Sequence, residues 1–279
     1  MNNIGDFFQT VLIWPILNIL IGFYQFFSLL HFPWALAFSI IGLTVLARLI
    51  LWPLTKTQLE SAKKLTALKP QLEELKKKHG HDKVRHQQEQ AKLYKEHGIN
   101  PAAGCLPLLL QMPIFIALYR VLYQVLGSGK GGDFVEGINR GLYFPFLKLS
   151  EAPNLGFLGL NLAQRPADLF SAAPLIILIP AVTGGLQFVQ SKMMSPPPQK
   201  EAPKEVKKEN QGDMEKTMEQ VQGQMLFLMP AMIAFFAFGF PIGLSLYWNV
   251  FTILGIIQQY LISGWGGLAA WLPAKLSKK

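Results

Sequence analysis

The chain has 279 residues, 51% of them hydrophobic, a mean hydropathy of +0.27 and 15% charged residues, against about 25% charged in an ordinary soluble domain. The apolar residues come in long blocks, which points to an all-α polytopic membrane protein and excludes arguments from a water-shielded soluble core. The single cysteine, Cys105, leaves no internal disulfide framework, and the five histidines show no ligand spacing, so no metal site or cofactor is expected.

In chain order, residues 1–32 contain no Lys or Arg. They lack the basic start and the small-x-small cleavage site of a secretory signal, so they are expected to belong to the mature protein. Within them Val11–Leu30 is long enough to span, but Pro15, Asn18, Gln25 and the many aromatics equally suit an amphipathic helix lying in the membrane interface. The interfacial reading is preferred, and a sixth span stays open. Five further runs match the roughly 17–25 residues of a crossing helix: 33–55, 101–126, 171–193, 223–240 and 241–262. The last two are separated by Gly239-Phe240-Pro241-Ile242-Gly243, a breaker that predicts a tight helical hairpin.

Between the first two runs, segment 56–100 places Leu65, Leu68, Leu72 and Leu75 at 3-4-3 spacing, the seam of a coiled coil. Pro70 predicts a kink or a helix restart, Gly80 a break, and a second charged helix follows at about 82–97. The expected product is a helical hairpin too small to fold alone. The loop 127–170 holds eight glycines and two aromatic pieces, LYFPFLKL and LGFLGLNL, that could lie on the membrane surface. Segment 194–222, with three consecutive prolines, is expected to be disordered at its start and helical as it enters the fourth span.

Orientation follows from the basic residues. Segments 56–100, 192–222 and 263–279 hold eleven, six and three Lys/Arg, against none in 1–32 and four in 127–170. The positive-inside bias therefore predicts an N-terminus outside, five spans, and a cytoplasmic C-terminus at the end of the tail 263–279. The net charge of +9 lies largely on the cytoplasmic face. It would attract anionic lipid headgroups, or dock an acidic partner such as ribosomal RNA.

Two cations fall inside the spans. Arg120 is near the outer end of its run and can snorkel to the headgroups. Arg48 lies seven residues from the border at Thr55–Lys56, about 10 Å deep at 1.5 Å per residue. A central Arg costs about 2.5–3.5 kcal/mol on insertion scales, so such a residue normally faces a bundle interior or a wet cavity. No Asp or Glu occurs in any of the five spans. An unpaired buried charge is expensive, so the guanidinium must be hydrated, meet lipid phosphate, or wait for an acidic group from another molecule.

Polar residues at helical spacing supply a wet surface. Thr44 and Arg48 share a face, Thr183, Gln187 and Gln190 form a stripe on the third span, and Ser245, Asn249 and Thr252 form another on the fifth beside Tyr247 and Trp248. Gln111 adds an amide from the second span. Each stripe alone is explained by ordinary interhelical hydrogen bonds; three stripes with an unpaired Arg point to a shared hydrophilic groove. The missing intramembrane carboxylates and repeats argue against an ion-coupled transporter. With no nucleophile–base set, HExxH or phosphate loop, the chain is not expected to be an enzyme.

The run LYKEHGINPAAGCLPLLLQMPIFIALYRVLY, together with RLILWPLTKTQ, LKPQLEEL before a charged hairpin, and the ending FPIGLSLYWNVFTILGIIQQYLI, resembles the YidC membrane protein insertases and their mitochondrial and chloroplast relatives. The resemblance covers about residues 10–262 and implies five helices around a groove open to the cytoplasm and to lipid. Its groove arginine matches Arg48, its substrate-contacting positions match Gln187 and Trp248, and its N-terminal helix lies in the interface. It also implies nascent membrane proteins with acidic or polar N-tails as substrates, the ribosome and the Sec translocon as partners, and action as a monomer in the bacterial cytoplasmic membrane.

Departures are a form without the large periplasmic domain of many members, a longer outer loop 127–170, and a short tail with Lys275, Lys278 and Lys279. An assembly scaffold, or a solute channel, is the alternative function.

Overall fold

The computed structural model describes residues 3–79, 81–98, 106–127, 132–195 and 213–273. Among these the helices are α1 (Asn3–Phe8), α2 (Trp14–Leu29), α3 (Ala35–Ala67), α4 (Lys69–His79), α5 (Lys83–Glu96), α6 (Leu106–Leu126), α7 (Gly132–Asn139), α8 (Pro166–Leu169), α9 (Leu178–Met194), α10 (Asp213–Gly239) and α11 (Ile242–Ser263). A π-helical segment, Gln9–Ile13, joins α1 to α2 without a break. The described strands, β1 (Gly156–Phe157) and β2 (Leu160–Asn161), pair antiparallel. An all-α design is what lipid permits, because a helix satisfies its backbone hydrogen bonds within itself.

By length and apolarity Gly5–Leu29, Ala35–Ala67 and Pro174–Met194 could each cross a membrane, and Gln111–Leu126 and Leu226–Gly239 are shorter apolar helices. Pro53, Pro113 and Pro230 lie inside α3, α6 and α10, a placement transmembrane helices tolerate better than soluble ones.

The chain divides into two compact units. The first comprises Met1–Leu51, Leu108–Leu186 and Met232–Leu254. Its core has Leu17, Leu20 and Ile21 from α2, Leu36, Ile40 and Leu43 from α3, Leu118, Val121, Leu122 and Val125 from α6, and Leu244 and Tyr247 from α11, all buried. The 3- and 4-residue spacings put each set on one helix face. Opposite faces expose large apolar side chains such as Leu49, Ile50, Val182 and Phe235, a composition that suits lipid contact rather than water.

At one end of this unit, α1–α2 packs against α3 and α6. The Phe8 ring sits 5.9 Å from the Arg120 guanidinium. A methyl on Gly42 would be 3.3 Å from the Phe23 ring. The chain then reverses between α2 and α3 through His31 (φ 52°) and Trp34 (φ 60°).

The segment between α7 and α9 is folded and stapled to the helices. Asn18, 8% exposed, donates through Nδ2 to the Trp14 and Gly141 carbonyls (both 2.8 Å) and accepts the Tyr143 N–H at Oδ1 (2.7 Å). Asn139 donates to the Leu149 carbonyl (2.9 Å) and accepts the Leu149 N–H (2.8 Å). Leu158 (φ 50°) and Gly159 (φ 81°) form the two-residue turn between β1 and β2, the left-handed pair that matches hairpin twist. Beyond β2, the Leu162 and Gln164 carbonyls accept the Gly243 and Ile242 N–H groups, each at 2.9 Å. These are donors that the first turn of α11 cannot satisfy internally.

The second unit comprises Trp52–Pro107, Gln187–Ala231 and Gly255–Lys279. The helix break at Leu68, with α4 starting at Lys69, is the restart expected at Pro70, and α4 packs against α5 as a hairpin. On the Leu65–Leu75 seam, Leu68 is buried and Leu65, Leu72 and Leu75 are half-buried. Asp82 caps α5 by accepting the Arg85 N–H at 3.0 Å. The Gly266–Trp271 turn folds onto the end of α9. There Gly267 donates to the Ser195 carbonyl (2.9 Å), Trp271 lies 5.8 Å from Phe188, and Lys192 Nζ is 5.0 Å from the Trp271 ring.

Candidate functional site

The site in the first unit is built around Arg48. As part of α3 its backbone is committed to helix, so only the side chain can seek partners. Arg48 is 8% exposed. Its Nε and Nη2 donate to the Phe251 carbonyl of α11 at 3.2 and 2.7 Å, and the guanidinium carbon lies 3.5 Å from the centre of the Phe251 ring. A carbonyl oxygen has two lone pairs, so Phe251 can serve both its own helix and the guanidinium. A desolvated cation over an aromatic face is stabilised by about 2 kcal/mol. Water, lipid phosphate and an incoming acid are the partners expected from the sequence; the fold supplies a fourth, a neutral carbonyl and a ring.

Tyr247 adjoins this pair. Its ring is 5.7 Å from Phe251, it is 2% exposed, and its hydroxyl faces the Gln111 side chain and lies within electrostatic range of Arg48. One turn of α11 separates Tyr247 from Phe251, so both rings project from one face. Ser245 Oγ and Asn249 Oδ1, also one turn apart, are buried without a hydrogen-bond partner among the described residues. Buried polar atoms cost free energy unless water or a ligand meets them, so these two positions can take an incoming N–H, an O–H or a water.

The expected groove residues have different situations. Arg48 and Gln111 both converge on the face of α11 that carries Tyr247 and Phe251. Thr44 is fully buried and donates to the Ile40 carbonyl at 2.6 Å. Thr183 donates in the same way to Ile179 at 2.9 Å. Trp248 packs edge-on to Phe115, with ring centres 5.1 Å apart. Gln187 belongs to the second unit. In that unit Gln258, 1% exposed, donates to the Trp52 carbonyl and to Thr55 Oγ1.

Sequence reasoning passed over Phe251. Its signal was available: Tyr247 and Phe251 are an aromatic i, i+4 pair beside polar residues, and an arginine with no acid can be held by a ring face. What spacing could not give was which aromatic of which span meets Arg48.

Comparison with known proteins gives a consistent assignment. The family described as 60Kd inner membrane protein matches residues 26–266. The membrane protein insertase YidC of Actinobacillus succinogenes is 37% identical over 229 residues, covering 82% of this chain and 33% of that protein. That of Actinobacillus pleuropneumoniae is 34% identical over 249 residues, covering 89% and 36%. The inner membrane ALBINO3-like protein 1, chloroplastic, of Chlamydomonas reinhardtii is 33% identical over 242 residues, covering 85% and 46%. The chain thus spans between a third and a half of the length of the curated relatives it matches. A crystal structure of an active YidC insertase shares the fold, with a TM-score of 0.50 at 24% identity over 88% of this chain and 45% of that one.

Proposed function

The chain belongs to the 60Kd inner membrane protein family, and from that premise we propose that it inserts newly made proteins into the bacterial inner membrane. The carrying observation is Arg48: a cation buried in an apolar helix whose contacts among the described residues are a neutral carbonyl and a ring. Its charge is oriented but not neutralised, so its field remains available to a carboxylate on a passing chain. At low local dielectric that attraction is several times stronger than in water.

In this reading Arg48 draws the acidic N-tail of a substrate into a hydrophilic groove lined by Gln111 and Trp248. The free acceptors at Ser245 and Asn249 lower the cost of a polar backbone at that depth. The substrate's own apolar segment then moves into lipid. Burial of its surface supplies the driving force, at about 25 cal/mol per Å², with no covalent step. The hairpin of α4 and α5 receives the incoming chain, and the basic cytoplasmic segments meet anionic lipid and ribosome. Cooperation with the Sec translocon and action as a monomer belong to the same proposal.

The five-span topology, with the N-terminus outside and the C-terminus in the cytoplasm, rests on the basic-residue bias and on the course of α1–α2. Phe8 meets Arg120, six residues from the outer end of α6, and Phe23 meets Gly42, seven residues from the outer start of α3. Both contacts fall within about 10 Å of those ends, although Phe8 and Phe23 are about 22 Å apart along the helix. A crossing helix would change depth by that distance. Two contacts near the same ends of its neighbours support a helix lying in the plane of the outer interface.

The test is insertion into proteoliposomes of a small single-span substrate with an acidic N-tail, beside the same substrate with its acids changed to amides. Arg48→Ala should depress insertion of the acidic form and spare the neutral one, and Arg48→Lys should restore most of it. Equal insertion of the acidic substrate by Arg48→Ala and the native chain would sink the electrostatic role.

A further inference from the structure

Between α7 and β1 the chain presents four consecutive exposed residues, Tyr143–Phe146, bounded by buried Leu142 and Leu147. Tyr143, Phe144 and Phe146 are 50%, 51% and 74% exposed. The Phe144 and Phe146 rings are stacked, with centres 5.3 Å apart and planes 17° apart. Two phenylalanines held outward in this way would leave their apolar surface in water, an arrangement that marks a binding surface.

The base of this knuckle is fixed. Asn18 holds the Gly141 carbonyl and the Tyr143 N–H, and Asn139 holds both backbone groups of Leu149. The Pro145–Leu147 turn packs on α2, where a methyl on Gly22 would be 4.0 Å from Leu147. The rings are therefore aimed by a folded support that includes α2. Exposed cations flank the knuckle: Lys148 on one side, and on the other Arg140, which also pairs with Glu136 at 3.0 Å.

We propose that the Tyr143–Phe146 knuckle is a lipid anchor seated at the headgroup–acyl boundary of the outer leaflet. The occupant follows from placement and chemistry. Rings stapled to the middle of an interfacial helix sit at that helix's depth, and the exposed Phe26, Leu29 and Leu30 follow at helical spacing from Gly22, which faces Leu147. Aromatic residues gather at this level of a bilayer, where an apolar ring and a polar tip are both satisfied. Lys148 and Arg140 then lie within reach of lipid phosphates. The loop and α2 grip the leaflet together, and through the Gly243 and Ile242 N–H bonds the loop carries that position to the start of α11.

The anchor rests on the planar course of α1–α2, and the experiment separates the two. In a full chain with Cys105→Ser, single nitroxide labels are placed at Phe146→Cys, Ser150→Cys, Phe7→Cys and Leu29→Cys. Each is reconstituted in vesicles of phosphatidylethanolamine and phosphatidylglycerol. Collision rates with oxygen, which partitions into lipid, and with a water-soluble nickel chelate report depth. The expected result is an oxygen-to-nickel ratio at 146 severalfold above that at 150, and outer-interface depths at both 7 and 29. A label at Phe144→Cys gives the same reading should the one at 146 disturb the fold. Equal ratios at 146 and 150, with 7 and 29 both at the outer interface, would overturn the anchor and leave the planar helix standing. Labels 7 and 29 at opposite faces of the bilayer would overturn both.

Discussion

Replacing Asn18 by Leu removes the side chain that bonds α2 to the loop after α7 at both Gly141 and Tyr143. The shapes are similar, so packing survives, but a buried carbonyl and a part-buried N–H lose their partners at once. An orphaned buried polar group costs about 1–3 kcal/mol, and hydrogen bonds within membranes average nearer 0.6 kcal/mol because alternative partners are found. The new Leu recovers roughly 1 kcal/mol of apolar burial. The net loss should be about 2 kcal/mol, a factor of roughly 30 in the local opening equilibrium. Hydrogen exchange in micelles reads this directly at the Tyr143 amide, which should exchange roughly 30-fold faster, with a smaller change at Leu149, whose own bonds to Asn139 are intact. Native-like exchange at Tyr143 in the folded variant would refute the argument that Asn18 staples the loop.

Phe251→Leu keeps the carbonyl that Arg48 bonds but removes the ring 3.5 Å from its guanidinium; thermal unfolding should show a loss of about 2 kcal/mol, and Phe251→Tyr should show little. Gly266→Ala places a methyl 1.9 Å from the Met193 carbonyl oxygen at a residue with φ 53°. The Gly266–Trp271 turn should detach from α9 and raise protease sensitivity there, whereas Gly239→Ala, with nothing within 4 Å, should be tolerated. Gly243→Ala meets the Leu126 side chain at 2.7 Å. It should cost about 1–3 kcal/mol in thermal unfolding, and Leu126→Ala in the same chain should give back part of that loss.

The all-α membrane class was legible in one dimension because lipid imposes it locally. Apolar length marks candidate crossing helices without reference to any neighbour, and the breaker around Pro241 and the restart at Pro70 are backbone properties of the residues themselves. The same holds for the solitary charge of Arg48, which is visible by counting acids. The fold of the loop after α7 was not legible. Its order comes from Asn18 and Asn139, whose side chains meet backbone groups 123 and 10 residues away, and nothing in an isolated Asn announces such a partner.

The sequence by itself determined that this chain is a helical membrane protein, which way its charges bias it, and that a cation lies in a span without an acid. Those properties depend on composition and on periods of a few residues. Only the tertiary structure decided that Arg48 rests on the carbonyl and ring of Phe251, 203 residues away, and that α2 and the loop after α7 form one stapled body. Contacts of that kind follow from how faces of similar apolarity choose among one another, and the choice is made by packing and by the pairing of buried polar groups, neither of which a single helix contains.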